Sequence, residues 1–321
     1  MQRRHVTAAM IALLGGAGAM AQEAFPNRPV RLVVGFPPGA AVDLGARLLG
    51  RALQGPLGQP VVVENRPGAA SGIAAEQTAR AVPDGHAIFT ANVANAINAV
   101  LQPNPGFELL RDLLPVAGVG QVPNILVAHP SLNLRSVADL VAAARARPDG
   151  IFFGSSGIGT SPHLSGELFN QMAGVRLSHV PYQGSPQAVT DLLAGRVGVM
   201  FSPASSVRGA IESGRLVGLA STAAARSAAA LDLPTIAESG FPGFESSVWF
   251  GLMVPSGTPA PIIARLARLV QEALTGSELA AQFAEQGIDP LPLGPDAFGR
   301  FIAAEMRKWA EVVQAAGLRA K

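Results

Sequence analysis

Val30-Arg31-Leu32-Val33-Val34-Gly35-Phe36-Pro37-Pro38-Gly39-Ala40-Ala41-Val42-Asp43 is the stretch on which the fold turns. A short β-branched apolar run stops at a Gly/Pro loop, and a helical period then opens at Val42 and continues to Leu53. Strand, glycine turn and helix in that order make the βα unit of a parallel sheet.

The same alternation repeats along the chain. Apolar runs at 30–35, 61–63, 87–90, 125–128, 151–153, 197–201, 216–220 and 248–254 alternate with helical patterns at 42–53, 137–147, 164–172 and 188–193. Further helical patterns follow at 259–274, 278–286 and 297–316. This predicts an α/β fold with parallel sheets covered by helices on both faces. A chain of 321 residues is too long for one ordinary core and suits two lobes.

Several helix starts are legible. Ser136-Val137-Ala138-Asp139 and Thr235-Ile236-Ala237-Glu238 have capping-box form. Ser161-Pro162, Ser185-Pro186, Ser202-Pro203 and Thr258-Pro259 each pair a capping residue with proline at the first helical position. The first three follow predicted strands. Loops beyond strand C-termini line the ligand crevice of an open α/β sheet, so these helix ends are expected around one cleft.

The N-terminus reads as a signal peptide. Arg3 and Arg4 precede an apolar run at 6–14, and Ala19-Met20-Ala21 is an A-x-A cleavage site. Export to the periplasm with cleavage after Ala21 is expected. Without Arg3 and Arg4 the 24 basic residues become 22, which equals the 22 acidic ones. A neutral mature chain with no basic cluster argues against a nucleic-acid partner. The absence of cysteine removes disulfide, thiol and zinc-thiolate chemistry.

Four motifs carry the functional reading. In Phe36–Asp43, small residues after Gly39 leave main-chain amides uncovered at a helix start, which suits a carboxylate or phosphate. The alternative is a tight turn capped by Asp43. Gly154-Ser155-Ser156-Gly157-Ile158-Gly159-Thr160-Ser161-Pro162-His163 is a hydroxyl-rich glycine loop after a strand, either an anion cradle or a capped turn. It lacks the Gly-Lys-Ser/Thr ending of a phosphate loop. His179-Val180-Pro181-Tyr182-Gln183-Gly184 holds the only tyrosine, either a pocket wall or a core residue. Arg66, in Glu64-Asn65-Arg66-Pro67-Gly68, is read as a structural ion pair in preference to a ligand clamp. No G-x-S-x-G elbow is present and no two histidines have metal-binding spacing, so no metal or other cofactor is expected. A secreted hydrolase pairing Ser155 or Ser156 with His163 is the alternative reading.

These motifs together resemble the Bug family of extracytoplasmic solute receptors, which serve tripartite tricarboxylate transporters. The resemblance runs through Arg28-Pro29-Val30, Phe36-Pro37-Pro38-Gly39, Glu64-Asn65-Arg66-Pro67-Gly68-Ala69, Pro83-Asp84-Gly85, Ser155-Ser156-Gly157-Ile158-Gly159-Thr160 and His179-Val180-Pro181-Tyr182. It continues through Leu233-Pro234-Thr235, Trp249-Phe250-Gly251 and Gly257-Thr258-Pro259. It implies a two-lobed periplasmic-binding-protein fold with a ligand cleft between the lobes. One lobe takes residues 22–124 plus 248–321 and the other 125–247. It also implies a monomeric receptor, not an enzyme, that binds a small carboxylate and hands it to membrane transporter subunits. The family's ligand-binding positions map onto Phe36, Pro38, Gly39, Ala40, Ala41, Asp43, Ser155, Ser156, Gly157, Gly159, Thr160, His163, Tyr182 and Ser202. Ala40, Ala41, Gln183 and Ser202 stand where the family usually has glycine, polar or charged residues. These losses favour a carboxylate with an apolar body over an amino acid.

Overall fold

In the computed structural model, described over residues 25–101, 106–227, 230 and 233–318, the opening stretch forms strand β1 (Val30–Val34) and helix α1 (Ala41–Leu57). All of β1 is buried except Arg31, as expected of a strand covered on both faces. Val42, Ala46, Leu49, Leu53 and Leu57 form the buried stripe of α1. Gly58 ends that helix in a left-handed conformation, with its amide on the Gln54 and Gly55 carbonyls.

The first sheet has the order β2-β1-β3-β9-β4, with β2 at Val61–Asn65, β3 at Ala87–Asn92, β4 at Leu113–Ala128 and β9 at Ser247–Pro255. Strands β1, β2 and β3 run parallel, and β9 runs antiparallel to both β3 and β4. The second sheet is built on the far end of β4. There β4 pairs antiparallel with β7 (Val199–Pro203) and β8 (Val217–Ser221), and β7 continues in parallel to β5 (Phe152–Ser155) and β6 (Ser178–Pro181).

The sixteen residues of β4 thus serve two sheets. Leu113 to Pro123 pair with β9, and Asn124 to Ala128 pair with β7. The second connection leaves β8 and returns through Ser246 to β9 beside Pro123. A continuous core runs along one face of both sheets, from Phe89 and Met253 to Phe153 and Phe201. Helix α2 (Gly72–Ala79), helix α3 (Val93–Leu101), the four-residue α4 (Leu109–Asp112), α5 (Val137–Ala146), α6 (Ser161–Ala173), α7 (Ser185–Leu193), α8 (Ala204–Glu212), α9 (Ala260–Thr275) and α10 (Ser277–Glu285) cover the sheets. The 21-residue α11 (Pro295–Ala315) packs on α3 and β4 of the first half and on α6 of the second.

The expected α/β architecture is observed. At Ser136 the expected box starts α5, with Asp139 N–H donating to Ser136 Oγ. At Thr235 the reciprocal bonds form, Glu238 N–H to Thr235 Oγ1 and Thr235 N–H to Glu238 Oε2, but they close a turn over 236–240 and no helix follows, contrary to the expectation. At Ser161-Pro162 the helix starts one residue earlier than expected, with Thr160 as the cap. At Ser185-Pro186 the cap is Gly184. Ser202-Pro203 ends a strand, and α8 begins at Ala204. The signal-peptide residues lie outside the described residues.

A strained turn joins β2 to α2. Ala69 (φ 46°), Ala70 (φ 46°) and Ser71 (φ 74°) are three successive non-glycine residues in left-handed conformations. Asn98 Nδ2 donates to the Ala69 and Ala70 carbonyls at 2.9 and 3.3 Å, and Asn92 Nδ2 donates to Ser71 Oγ at 3.2 Å. A Cβ on Gly35 would lie 1.9 Å from Ser71 Oγ, so the strand end and this turn are in contact. Left-handed conformation costs an L-residue roughly 1–2 kcal/mol, partly offset on Ala→Gly by the freer unfolded chain. Ala70→Gly should therefore stabilise the protein by up to about 1 kcal/mol, seen as a higher urea midpoint at unchanged slope. Gly35→Ala should lose roughly 1–3 kcal/mol by overpacking. A lower midpoint for Ala70→Gly would contradict the strain.

Candidate functional site

The loop after β1 is closed by its own polar network. Gly39 N–H donates to Asp43 Oδ2 (2.9 Å), Arg47 Nε donates to the same oxygen (3.0 Å), and Asn65 Nδ2 donates to Asp43 Oδ1 (2.8 Å) and to the Phe36 carbonyl (2.9 Å). Arg47 also bridges to Asn65 Oδ1 at 2.9 Å. Asp43 is 1% exposed. Burial alone would raise its pKa, but Arg47, Asn65 and the Gly39 amide together hold it below the usual carboxylate value. The Asp43 carboxylate thus closes the turn on the Gly39 amide and bonds no amide of α1 itself. Phe36, Ala40 and Ala41 are half-buried, and Pro37, Pro38 and Gly39 are exposed. Ala40 has no side chain to cap α1, so the amides of Ala41, Val42 and Asp43 head the helix without an intrahelical acceptor.

The loop after β5 is also pinned from within. Ser155 Oγ shares a 2.6 Å hydrogen bond with His179 Nε2 and accepts from Gly157 N–H at 3.1 Å. Gly159 N–H donates to His163 Nδ1 at 3.1 Å, and the Thr160 hydroxyl donates to the Gly157 carbonyl at 2.7 Å. Three amides expected to be bare, those of Gly39, Gly157 and Gly159, therefore already have partners inside their own loops. What remains at this loop is the start of α6, where Thr160 makes no capping side-chain bond and Pro162 offers no N–H. Ser156 is half-buried and Ile158 is exposed. Gly159 sits at φ +76°, and a Cβ there would lie 2.9 Å from Leu101 of α3, so the loop abuts the first sheet's helix layer.

Two imidazoles support this loop. His163 and His179 stack with ring centroids 3.9 Å apart, and Phe153 stacks on His179 at 4.9 Å. The partner of Ser155 is thus His179, not the His163 considered in the hydrolase reading. Among the described residues no carboxylate pairs with His179, while His163 Nε2 lies 3.6 Å from Glu167. Tyr182 stands beside Gly154, and its hydroxyl donates to Asp191 Oδ2 at 2.9 Å. Asp191 is also paired with Arg196, and burial with this carboxylate pushes the phenol up. Ser202 is fully buried, with no hydrogen-bond partner for its hydroxyl among the described residues.

Arg66 forms the ion pair preferred from sequence, closing on Glu64 together with Arg31. These side chains line a groove of about 260 Å³ between α2 and the sheet edge, with Gln77 and Thr78 opposite. Both guanidiniums are directed at Glu64, so the groove presents an internal ion-pair network in place of a free cation.

His179 was within a quoted motif, yet its role was not legible. Only the register of β5 with β6, which places Phe153 opposite His179, brings it under Ser155. Burial, with the neighbouring His163, pushes its pKa down to about 3. The unfolded chain then binds a proton near pH 6.5 that the folded chain refuses, so stability falls as pH is lowered from 6.5 toward 3. The slope should approach about 1.4 kcal/mol per pH unit. Melting curves between pH 6.5 and 5, above the range where carboxylates protonate, should show this slope in the wild type and a flatter one in His179→Gln. Equal slopes would contradict the assignment.

Comparison with known proteins agrees with this architecture. The sequence profile described as "Tripartite tricarboxylate transporter family receptor" matches residues 46–318. Protein BugT of Bordetella pertussis is 40% identical over 313 residues, covering 97% of this chain and 96% of that protein. Rpa4515 of R. palustris, solved with adipate, superposes with TM-score 0.80 at 37% identity over 91% of this chain and 98% of its own. The periplasmic binding protein BugD superposes with TM-score 0.78 at 32% identity over 92% of this chain and all of its own. With two sheets joined through β4 and glycine loops at the strand ends, the chain belongs to the Bug-type receptor family of tripartite tricarboxylate transporters, and its role is that of a solute-binding receptor.

Proposed function

We propose that this chain is a periplasmic receptor that captures a small carboxylate between its lobes and delivers it, unchanged, to tripartite tricarboxylate-type transporter subunits. The observation that carries the reading is the pair of uncapped helix N-termini, on α1 and α6, each reached through a glycine turn from a strand end. Neither 36–42 nor 154–163 contains Lys or Arg. The anion is therefore held by first-turn amides and helix dipoles, and the Thr160 hydroxyl, which donates to the Gly157 carbonyl, fixes the loop that carries them. Phe36, Ala40 and Ala41 line one wall, with Ser156, Thr160 and the Tyr182 ring on the facing lobe. Adipate, bound by Rpa4515, has the apolar body that Ala40 and Ala41 favour. The lobes divide at Asn124 and beside Val248, supported by the change of pairing partner there. The receptor acts as a monomer, is exported, and is cleaved after Ala21. The lack of turnover is supported by Ser155, which is fully buried and hydrogen-bonded to a histidine without a carboxylate partner.

A thermal-shift panel tests the ligand class. A ligand at 100 times its Kd adds about 2.7 kcal/mol, a rise of several degrees for a chain this long. Adipate and aromatic acids should raise the melt; sugars and cationic amines should not. A shift from sugars or amines with none from carboxylates refutes the class.

Calorimetry on three variants tests the mode of recognition. Thr160→Val should weaken adipate binding roughly 10- to 150-fold, with Thr160→Ser restoring it. Ala41→Asp places an acid where a helix start tolerates it, so the fold should hold while binding is lost. Arg66→Ala should leave the affinity nearly unchanged. Loss of binding in Arg66→Ala with none in Thr160→Val would replace the amide site by a charge clamp.

A further inference from the structure

Where both connecting strands change sheets, five uncharged polar side chains are buried together: Asn124, Ser161, Ser165, Thr222 and Ser246, each at most 4% exposed. Asn124 Nδ2 donates to Ser161 Oγ at 2.8 Å and to Ser165 Oγ at 3.2 Å. Its main-chain N–H donates to Thr222 Oγ1 at 2.9 Å, and Thr222 N–H donates back to the Asn124 carbonyl at 2.9 Å. Ser246 N–H donates to the Thr222 carbonyl at 2.9 Å, and the Thr222 hydroxyl also faces the Ser246 carbonyl. Ser165 Oγ and Ser246 Oγ are 2.7 Å apart. One helix is thereby bonded to both connecting strands at the residues where they cross.

That helix is α6, and Ser161 is its first residue, next to Thr160. Because the helix starts one residue earlier than its Ser-Pro signature predicts, Ser161 does not cap it, and its hydroxyl is available to Asn124. On its other side the same loop abuts α3 of the first lobe through Gly159 and Leu101. Asn124 Oδ1 is buried and has no side-chain or main-chain partner among the described residues. Buried amides are normally satisfied, and an orphan marks a place where pairing is incomplete in this state.

We propose that Asn124 is a positioning residue that makes the first turn of α6 and the two connecting strands move as one body. Seating an anion at the α6 loop and bending the hinge are then a single event, and the spare Oδ1 is where the network re-pairs as the strands bend. Only the nature of the anion rests on the carboxylate-receptor reading; the mechanical coupling does not.

Hydrogen exchange of the ligand-free mature protein separates the two. In the wild type, peptides from 156–165 and from 220–248 should open together. Asn124→Leu keeps the side-chain shape, removes both donors and should raise exchange in both regions roughly tenfold, leaving β1 and α1 unchanged. Faster exchange only around 120–128, or a uniform rise across the chain, overturns the proposal. If Asn124→Leu does not fold, Ser165→Ala must produce the same paired response. In the second arm, adipate release is followed by the emission of Trp249 and Trp309, the chain's two tryptophans, whose indoles both donate to the buried Glu305. Asn124→Leu should release adipate roughly tenfold faster; an unchanged rate overturns the coupling. If adipate fails to bind the wild type, adipate is excluded as the ligand while the carboxylate class stays with the thermal-shift panel, and exchange alone decides this inference.

Discussion

The structure depends on one strand that hydrogen-bonds in two sheets. Leu113–Ala128 cannot leave its main-chain groups unpaired in the interior, so every residue must find a partner on one side of the crossing or the other. Pro123 and Asn124 mark the exchange, with β9 as partner before it and β7 and β8 after it. The second connecting segment has the same problem and solves it locally, by pairing Thr222 with Asn124 on one side and with Ser246 on the other. The buried polar groups at the crossing tie the two connecting strands to each other, so a bend there has to keep those donors satisfied.

The same economy of polar groups shapes the candidate site. Each glycine loop spends its tip amides on its own residues: Gly39 on Asp43, Gly157 on Ser155 and Gly159 on His163. Self-pairing makes the loops rigid before any ligand arrives, and pre-organised loops lose less freedom on binding. The first-turn amides of α1 and α6 have no intrahelical acceptor, and the helix dipole is positive there. The Asp43 carboxylate in the first turn of α1 is paired with Arg47 and with the Gly39 amide.

Alternating strand and helix periods made the α/β class legible, and strands such as β1 and β3 match their apolar runs within two residues. The first part of β4 was not legible: Leu113 to Val122 contains Pro115, Gly118 and Gly120, which read as loop residues. They are tolerated because the pairing with β9 shifts register at two places there. A Cβ at Gly118 or Gly120 would also meet Leu291, Ile288 or Phe250 within 3 Å. Strand β6 was missed because Ser178-His179-Val180-Pro181 has no apolar run. The glycine loops were legible as loops at strand ends, but not the pairing of their amides. That pairing needs His163 one helical turn away and His179 across a strand, and no spacing rule reports a stacked pair 16 residues apart. Asn124 was expected as a lobe boundary, and its place at the centre of a network could not be read, since its partners lie 37 to 98 residues away.

Capture without chemistry is the central claim, and the ligand carried by the purified protein tests it most directly. The exported protein, isolated without added ligand and then unfolded, should release a small carboxylic acid with an intact skeleton, near one per chain, identified by mass spectrometry. Release of a sugar or an amine, or conversion of the released acid into a new product on incubation with fresh protein, would contradict the account.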